Sequence, residues 1–446
     1  MKRQYLNLLY RNVFCLGYKL VIGTTWGNSF VKFHHMNKPL SMDNFCQWFV
    51  GFSEGEGCFK IKPKYTVDKS KVRSFYFEFE IHLHIDEKNL LDNICHTLGI
   101  GKVYSRENSN SCSFIVGNEK EMRILLNIFD MYKINGIKYL DYVDFRKAFL
   151  TYFNRVGTLT DEMIVEILKL YKGINTNRTQ FNMPSEHEVK ITPYWLLGLI
   201  EAEGSFYLNR DQVRPGFQVL LTAAQEPLLI KIKEYLENNL GFDSYSIWRI
   251  KNSSVISVSP KKAVGKSKSA VTFDIRDIRI LHNYFLPYLN NLNFLSKKFL
   301  DFCDLKIICK TVYNGAHKNE MIKDLVLKLS YGMNDFRLSS YKGKDKQDIT
   351  KEEINILDNA LPLSEHLPDG RVRDIATGNI DHNNESSVYQ IVKANGEELL
   401  VKRLKEASEI VGVHYTTLSR KLDVLSSGVG VEINQHTIKR IKVFYR

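Results

Sequence analysis

The chain predicts an α+β fold in which one mixed unit is built twice about a pseudo-twofold axis, followed by a small helix-turn-helix tail. Three observations carry this. First, FVGFSEGEG (49–57) and LLGLIEAEG (196–204) repeat one pattern, an apolar run, a glycine, and two acids closing on a glycine. Second, the patterns that follow each segment run in the same order and end in a shared Gly-x-Asn-x-x-Arg. Third, 446 residues with 44% hydrophobic and 25% charged content are an ordinary globular composition with room for two or three domains.

Residues 1–40 form a basic extension. The stretch before Asp43 holds Lys, Arg and many aromatics but no acid, the composition of an organellar transit peptide or a basic nucleic-acid arm. Ser41 and Asp43 then mark the start of the first motif helix, and Thr192 with Pro193 the start of the second. Each helix carries small residues four apart, Gly51 with Gly55 and Gly198 with Ala202, which share a face and let two backbones approach closely. The closing Gly57 and Gly204 are expected to turn the chain out of the helix with positive φ.

Alternating strands follow, CFKIKPKY and SFYFEFEIHLH in one copy, SFYLNRD and GFQVLLTAA in the other. An amphipathic helix ending in Leu-Gly comes next in both (89–99 and 227–241). Two further strands are expected at KVYSREN and SCSFIVG, and at YSIWRIKN and AVTFDIRD, before two closing helices per copy. The order read from the residues is therefore α-β-β-α-β-β-α-α, with units at 41–183 and 184–340. In Phe75, Phe77, Phe79, Ile81 and Leu83 one strand face is wholly apolar and packs on helices. The opposite face, with Lys60, Lys62, Lys64, Tyr76, Glu78, Glu80, His82 and His84, is left for something wet and charged.

If the motif helices pack side by side, Glu56 and Glu203 meet at two helix C-termini, where they repel each other and face both negative dipole ends. A divalent cation removes that conflict. Hard oxygen ligands suit Mg²⁺, or another divalent ion such as Mn²⁺, completed by water and a substrate phosphate. Glu54 and Glu201 point about 160° away on the helix and are assigned a structural or surface role.

The net charge of +12 and pI near 9.1 favour a polyanionic partner. No apolar run reaches the length of a membrane span, and the cysteines show no zinc or disulfide spacing. The richness in Phe, Tyr, Lys, Asn and Ile fits an AT-rich organellar genome, a mitochondrion first and a chloroplast second.

The paired motifs resemble the name motif of the LAGLIDADG homing endonucleases, and the resemblance covers roughly 41–337. It implies two αββαββα halves forming a monomeric saddle over double-stranded DNA, with cleavage of both strands of a long target. It places the metal on Glu56 and Glu203, with the main-chain carbonyls of Gly55 and Ala202. It also implies a basic catalytic residue from the helix after the last strand, Lys138 in one half and Lys298 in the other, with Lys297 as competitor. The DNA-reading surface it implies includes Lys60, Lys62, Lys64, Glu78, Glu80 and His82. In the second half it includes Tyr207, Asn209, Arg210, Gln218, Thr222, Arg249 and Lys251, with Lys261 and Lys262 in the loop KKAVGKSK. Some relatives of this kind are maturases that help group I intron RNA to splice, so that function stands as the alternative.

Residues 341–385 read as a polar linker. In 386–446 a hairpin turn at Asn395-Gly396 precedes two short helices around Gly412, which resemble the NUMOD1-like tails of some homing endonucleases. Thr416, Thr417 and Arg420 are expected on the exposed side of the second helix, to enter a major groove.

Overall fold

The computed structural model describes residues 40–242, 255–263, 265, 268–343, 347–367, 371–381 and 386–443. The expected basic extension, the strand YSIWRIKN with Arg249 and Lys251, and part of the loop KKAVGKSK lie outside the described residues. Among the described residues no helix is long and apolar enough to cross a membrane.

Helix α1 (Met42–Glu56) is capped by Ser41, whose hydroxyl accepts from the Asn44 amide, and α6 (Pro193–Glu203) by Thr192 with Pro193 in its first turn. Both helices are buried nearly all round and pack on each other through their glycines. A Cβ on Gly51 would stand 2.0 Å from the Trp195 carbonyl oxygen, and one on Gly198 2.1 Å from that of Trp48, so backbone lies directly on backbone. Farther along, Gly55 meets Ala202 and Glu203.

The expected positive φ at the closing glycines is corrected. Gly57 and Gly204 are extended (φ −75° and −74°), each the first residue of a strand. Glycine is required there for space: a Cβ on Gly57 would be 2.7 Å from the Ser53 carbonyl and 2.9 Å from the Phe79 ring, and on Gly204 2.5 Å from the Ile200 carbonyl.

In the first half β1 (Gly57–Tyr65), β2 (Val72–His84), α2 (Lys88–Leu98), β3 (Lys102–Arg106) and β4 (Ser111–Val116) give an antiparallel sheet of order β1-β2-β4-β3. Phe75, Phe77, Phe79 and Ile81 are buried beneath it, as the alternation requires. Next comes α3 (Glu119–Met131), which the expected order lacks. Its signals are present in the sequence: Asn118 caps it, and Met122, Leu125, Leu126 and Phe129 keep helical spacing. Only then follow α4 (Lys138–Phe153) and α5 (Asp161–Gly173).

The second half repeats the plan with β5 (Gly204–Asn209), β6 (Arg214–Thr222), α7 (Glu226–Asn239), β7 (Ile256–Lys261) and β8 (Ala270–Ile275), in sheet order β5-β6-β8-β7. Among the described residues the strand that follows α7 is β7, and it pairs antiparallel with β8. A helical stretch, α8 (278–290, with a π-turn at Leu281–Phe285), corresponds to α3, before α9 (Lys298–Tyr313) and α10 (Glu320–Ser330).

The shared Asn-x-x-Arg ending proves to be a clip. Asn175 and Asn334, both left-handed, donate their side-chain amides to the Phe59 and Phe206 carbonyls, at 2.7 and 2.8 Å. Their own backbone amides reach Asp141 and Asp301. Arg178 pairs with Asp141 (2.6 Å) and Asp144 (2.5 Å), and Arg337 with Asp301 (2.9 Å) and Asp304. Each clip ties the end of a half to its own first strand and lysine helix. Arg178→Ala takes the cation away from two part-buried carboxylates and is expected to cost about 2–4 kcal/mol in denaturant unfolding, with Arg337→Ala similar. A loss below ~0.5 kcal/mol for both would show the clips to be ornamental.

The linker reading is corrected. Residues 347–367 and 371–381 fold onto the second half: Leu357 of α11 (Lys351–Asp358) enters the main core, the Leu363 and Ser364 amides bond the Asn314 carbonyl at 2.9 Å, and His366 stacks on Tyr313. Three short strands, β9 (Ser364–His366), β10 (Val372–Asp374) and β11 (Ile380–Asp381), complete this segment.

The tail has its own core around Ile391, Val411, Leu418, Leu422 and Ile438. β12 (Ser386–Val392) and β13 (Glu398–Val401) form the expected hairpin, and α12 (Leu404–Val411) and α13 (Tyr415–Asp423) flank a left-handed Gly412. A second hairpin, β14 (Gly430–Ile433) with β15 (His436–Val443), was not expected; it turns at Asn434 and Gln435, both at positive φ.

Candidate active site

The close approach of α1 and α6 brings their C-terminal acids together. A Cβ on Gly55 would lie 2.9 Å from Glu203 Oε1, so the Glu203 carboxylate rests against the backbone residue that precedes Glu56. Burial and the neighbouring Glu203 push the Glu56 carboxyl up to about 7, against the pull of Lys138 and Lys298. Burial raises Glu203 too, and the same two lysines oppose it.

Lys138 opens α4 and is partly buried. Its Nζ donates to the carbonyls of Ser53 (3.0 Å), Gly55 (2.8 Å) and Gly57 (2.5 Å), the free carbonyl end of α1. Lys298 opens α9 at the equivalent place. Both come from the second helix after the last strand, not the first, because α3 and α8 intervene.

Glu54 and Glu201 explain why the lysines stand here. Glu54 accepts the Asn135 (2.9 Å) and Gly136 (3.0 Å) amides just before α4, and Glu201 the Leu295 (3.1 Å) and Ser296 (2.5 Å) amides just before α9. Each is buried, so the role is structural and not on the surface. This correspondence aligns Lys138 with Lys298, while Lys297 is exposed and takes the competitor's place outside the centre. Two residues that the sequence reading did not single out join the same termini. Glu87 accepts from the Lys297 amide (3.1 Å) and Gln225 from the Ile137 amide (3.1 Å). The signal was a comparison of HIDEKNLL with TAAQEPLL, which places the two residues in register.

The donor set suits a hard divalent cation. It comprises two half-buried carboxylates, the carbonyls of Gly55 and Ala202 at adjacent helix ends, and no soft ligand; among the described residues no group of three His, Cys, Asp or Glu is gathered. The Gly55 carbonyl already accepts from Lys138, so a cation would share that oxygen. Without metal, the folded chain favours protonated Glu56, because its pKa rises from 4.5 to about 7. That contribution is whole below pH 4.5 and is lost as pH rises through about 7. The melting temperature of the metal-free protein is expected to fall between pH 5 and 8 and to recover on adding Mg²⁺ at pH 8, with a shallower slope in Glu56→Gln. A flat profile, or one unaffected by that substitution, would count against the shared centre.

The sheet faces modify the expected reading surface. Lys62 pairs with Glu78 at 2.8 Å, and Lys60 binds Glu80 and lies 3.9 Å from Glu78. Glu78 and Glu80 are only 6% and 7% exposed, so they are committed to the cross-strand lysines and do not stand free toward base edges. Arg210 is also committed: it bonds the Ser330 hydroxyl and carbonyl and stacks 3.9 Å from the Tyr331 ring centre. Lys64 is exposed over Tyr76, and His82 is exposed with Nδ1 on Ser113. In the second half Tyr207 donates to Asp274 at 3.5 Å, Asn209 caps a turn through the Gln212 amide, and Gln218 is half-buried. Thr222, Lys261 and Lys262 are exposed, and so are Thr416, Thr417 and Arg420 on α13.

Two repeated halves, joined along glycine-packed motif helices that each end in an acid, define a protein of the LAGLIDADG architecture. A family model described as LAGLIDADG endonuclease matches residues 49–149 and 196–309, once in each half. The chain belongs to that family. It is 27% identical over 365 residues to "Uncharacterized mitochondrial protein RF1" of Saccharomyces cerevisiae, covering 79% of this chain and 72% of that one. It is 30% identical over 244 residues to "Probable intron-encoded endonuclease Cox1-I1b" of Schizosaccharomyces pombe, covering 52% of this chain and 62% of that one. Among solved structures, the I-LtrWI LAGLIDADG homing endonuclease bound to target DNA has a TM-score of 0.56 at 19% identity, over 66% of this chain and 99% of that one. I-GzeII in complex with its DNA target has 0.54 at 22%, over 65% and 99%. These likenesses concern the fold.

Proposed function

We propose that the protein is a site-specific intron-type homing endonuclease that hydrolyses both strands of a long DNA target. The observation that carries this is the pairing of Glu56 with Glu203 between Lys138 and Lys298. Mg²⁺ or Mn²⁺ held by the two glutamates would supply Lewis acidity and an activated water. The chain's own residues do the rest. Glu56 and Glu203 orient that water and the phosphate by presenting one carboxylate from each half. Lys138, immobilised by three carbonyls, and Lys298 place fixed positive charge where negative charge develops on the phosphate. Because one chain supplies both acids, it acts as a monomer. The mitochondrial name of one relative and the intron-encoded name of another support a mitochondrial intron origin.

Lys64, His82, Thr222, Lys261 and Lys262 have the exposure to meet a duplex, and Thr416, Thr417 and Arg420 offer a second contact. Arg420→Ala is expected to weaken duplex binding and to reduce the salt slope of log Kd by about one, measured by fluorescence anisotropy from 50 to 200 mM salt. An unchanged slope would remove the tail residue from the interface.

The deciding experiment incubates the protein with Mg²⁺ and a randomised duplex library and sequences the ends produced. Recovery of one recurrent double-strand cut supports the reading. Binding without cutting in both Mg²⁺ and Mn²⁺ would overturn it and favour an RNA-splicing role on the same scaffold.

A further inference from the structure

Glu87 and Gln225 occupy equivalent places, each the last residue of a 3₁₀ turn (Ile85–Glu87, Ala223–Gln225) between the second strand and the next helix of its half. Each reaches across to the opposite half. Gln225 Oε1 accepts the Ile137 amide ahead of Lys138, and a Cβ on Gly136 would lie 2.2 Å from that oxygen, so the glycine leaves room for the side chain to come in. Glu87 accepts the Lys297 amide ahead of Lys298 at 3.1 and 3.4 Å. Every lysine helix is therefore gripped twice at its N-terminus, by the buried glutamate of its own motif helix and by a residue of the other half. The two grips match in geometry but not in charge. Glu87 is a half-buried carboxylate whose field falls on Lys297 and Lys298 and also on Glu56, whereas Gln225 is neutral.

We propose that Glu87 and Gln225 are crosswise positioning residues for the two lysine helices, and that their difference in charge makes the two halves of the centre unequal, so that one DNA strand is cut faster. This rests on the endonuclease reading above. A carboxylate beside Lys298 offsets part of that lysine's charge, and the phosphate served by Lys298 receives less stabilisation as the bond to its leaving oxygen breaks. The half built around Lys138 is the faster one.

The test uses the full-length protein and the duplex recovered from the library as the wild-type cleavage site, with the two strands carrying different 5′ fluorophores. Single-turnover rates are read for each strand in Mg²⁺. The wild type is expected to cut the strands at rates differing by about three- to tenfold, the effect of one partly screened charge. Glu87→Gln keeps an acceptor for the Lys297 amide and removes the charge; it speeds the slower strand and brings the ratio toward one. Gln225→Glu slows the faster strand, and Glu87→Ala, which loses the grip, slows the strand that Glu87→Gln speeds. Equal wild-type rates, or a ratio unmoved by both Glu87→Gln and Gln225→Glu, would overturn the proposal while leaving the endonuclease reading intact. A wild type that cuts no duplex overturns both.

Discussion

Glu56→Gln and Glu203→Gln each keep duplex binding within about threefold of the wild type while lowering double-strand cleavage in Mg²⁺ by about 10²–10⁴-fold, the range for removing a group that acts on the reacting atoms. Glutamine preserves the volume and one acceptor oxygen, so the packing of α1 on α6 survives, but the charge that neutralises a divalent cation is gone. Glu54→Gln behaves differently. It weakens a buried grip on the Asn135 and Gly136 amides, so its first effect is on stability and on the placement of Lys138. Anisotropy, cleavage and thermal melting on the three variants separate the roles. Cleavage by Glu56→Gln at near wild-type rate would remove the shared centre from the mechanism.

Gly51→Ala and Gly198→Ala are each expected to produce a large stability loss, about 3 kcal/mol or more by denaturant titration. Helix propensity alone would favour alanine by about 1 kcal/mol. The contact overrides it, because the inserted carbon would stand near 2 Å from a main-chain carbonyl oxygen, and no rotamer change relieves a clash with backbone. The helices must separate, and Glu56 and Glu203 part with them. Gly173→Ala is the control: nothing lies within 4 Å of its Cβ position, so it is neutral or slightly stabilising. A wild-type midpoint in Gly51→Ala would mean that the interface is looser than drawn.

Much of the centre was legible from residue type and spacing. Small residues four apart imply a close helix contact, and a repeat of the same motif implies that the partner is its twin; the eighth motif residue then falls at the junction without further information. Register with the second copy likewise paired Lys138 with Lys298. The glycines closing the motifs were misread because positive φ and lack of space select the same residue type, and only the carbonyls and rings around Gly57 and Gly204 distinguish them. Glu78 and Glu80 alternate onto the open face of a sheet as recognition residues do, and Arg210 follows the end of a strand where a basic side chain can reach a phosphate. Their commitments to Lys60, Lys62, Tyr331 and Ser330 depend on which strand and helix lie alongside.

By itself, the sequence determined the doubled α+β plan, the helix-on-helix contact and the two acids that meet there, because periodicity, caps and small-residue spacing are local signals repeated in two copies. Tertiary structure alone decided which charges remain free and which are spent on one another. It also decided that residues 347–367 and 371–381 fold onto the second half and that Glu87 and Gln225 reach across to the opposite lysine helix. Those outcomes depend on contacts between residues far apart in the chain, such as Glu87 with Lys297 and Gln225 with Ile137, whose energies arise only once the two halves have packed.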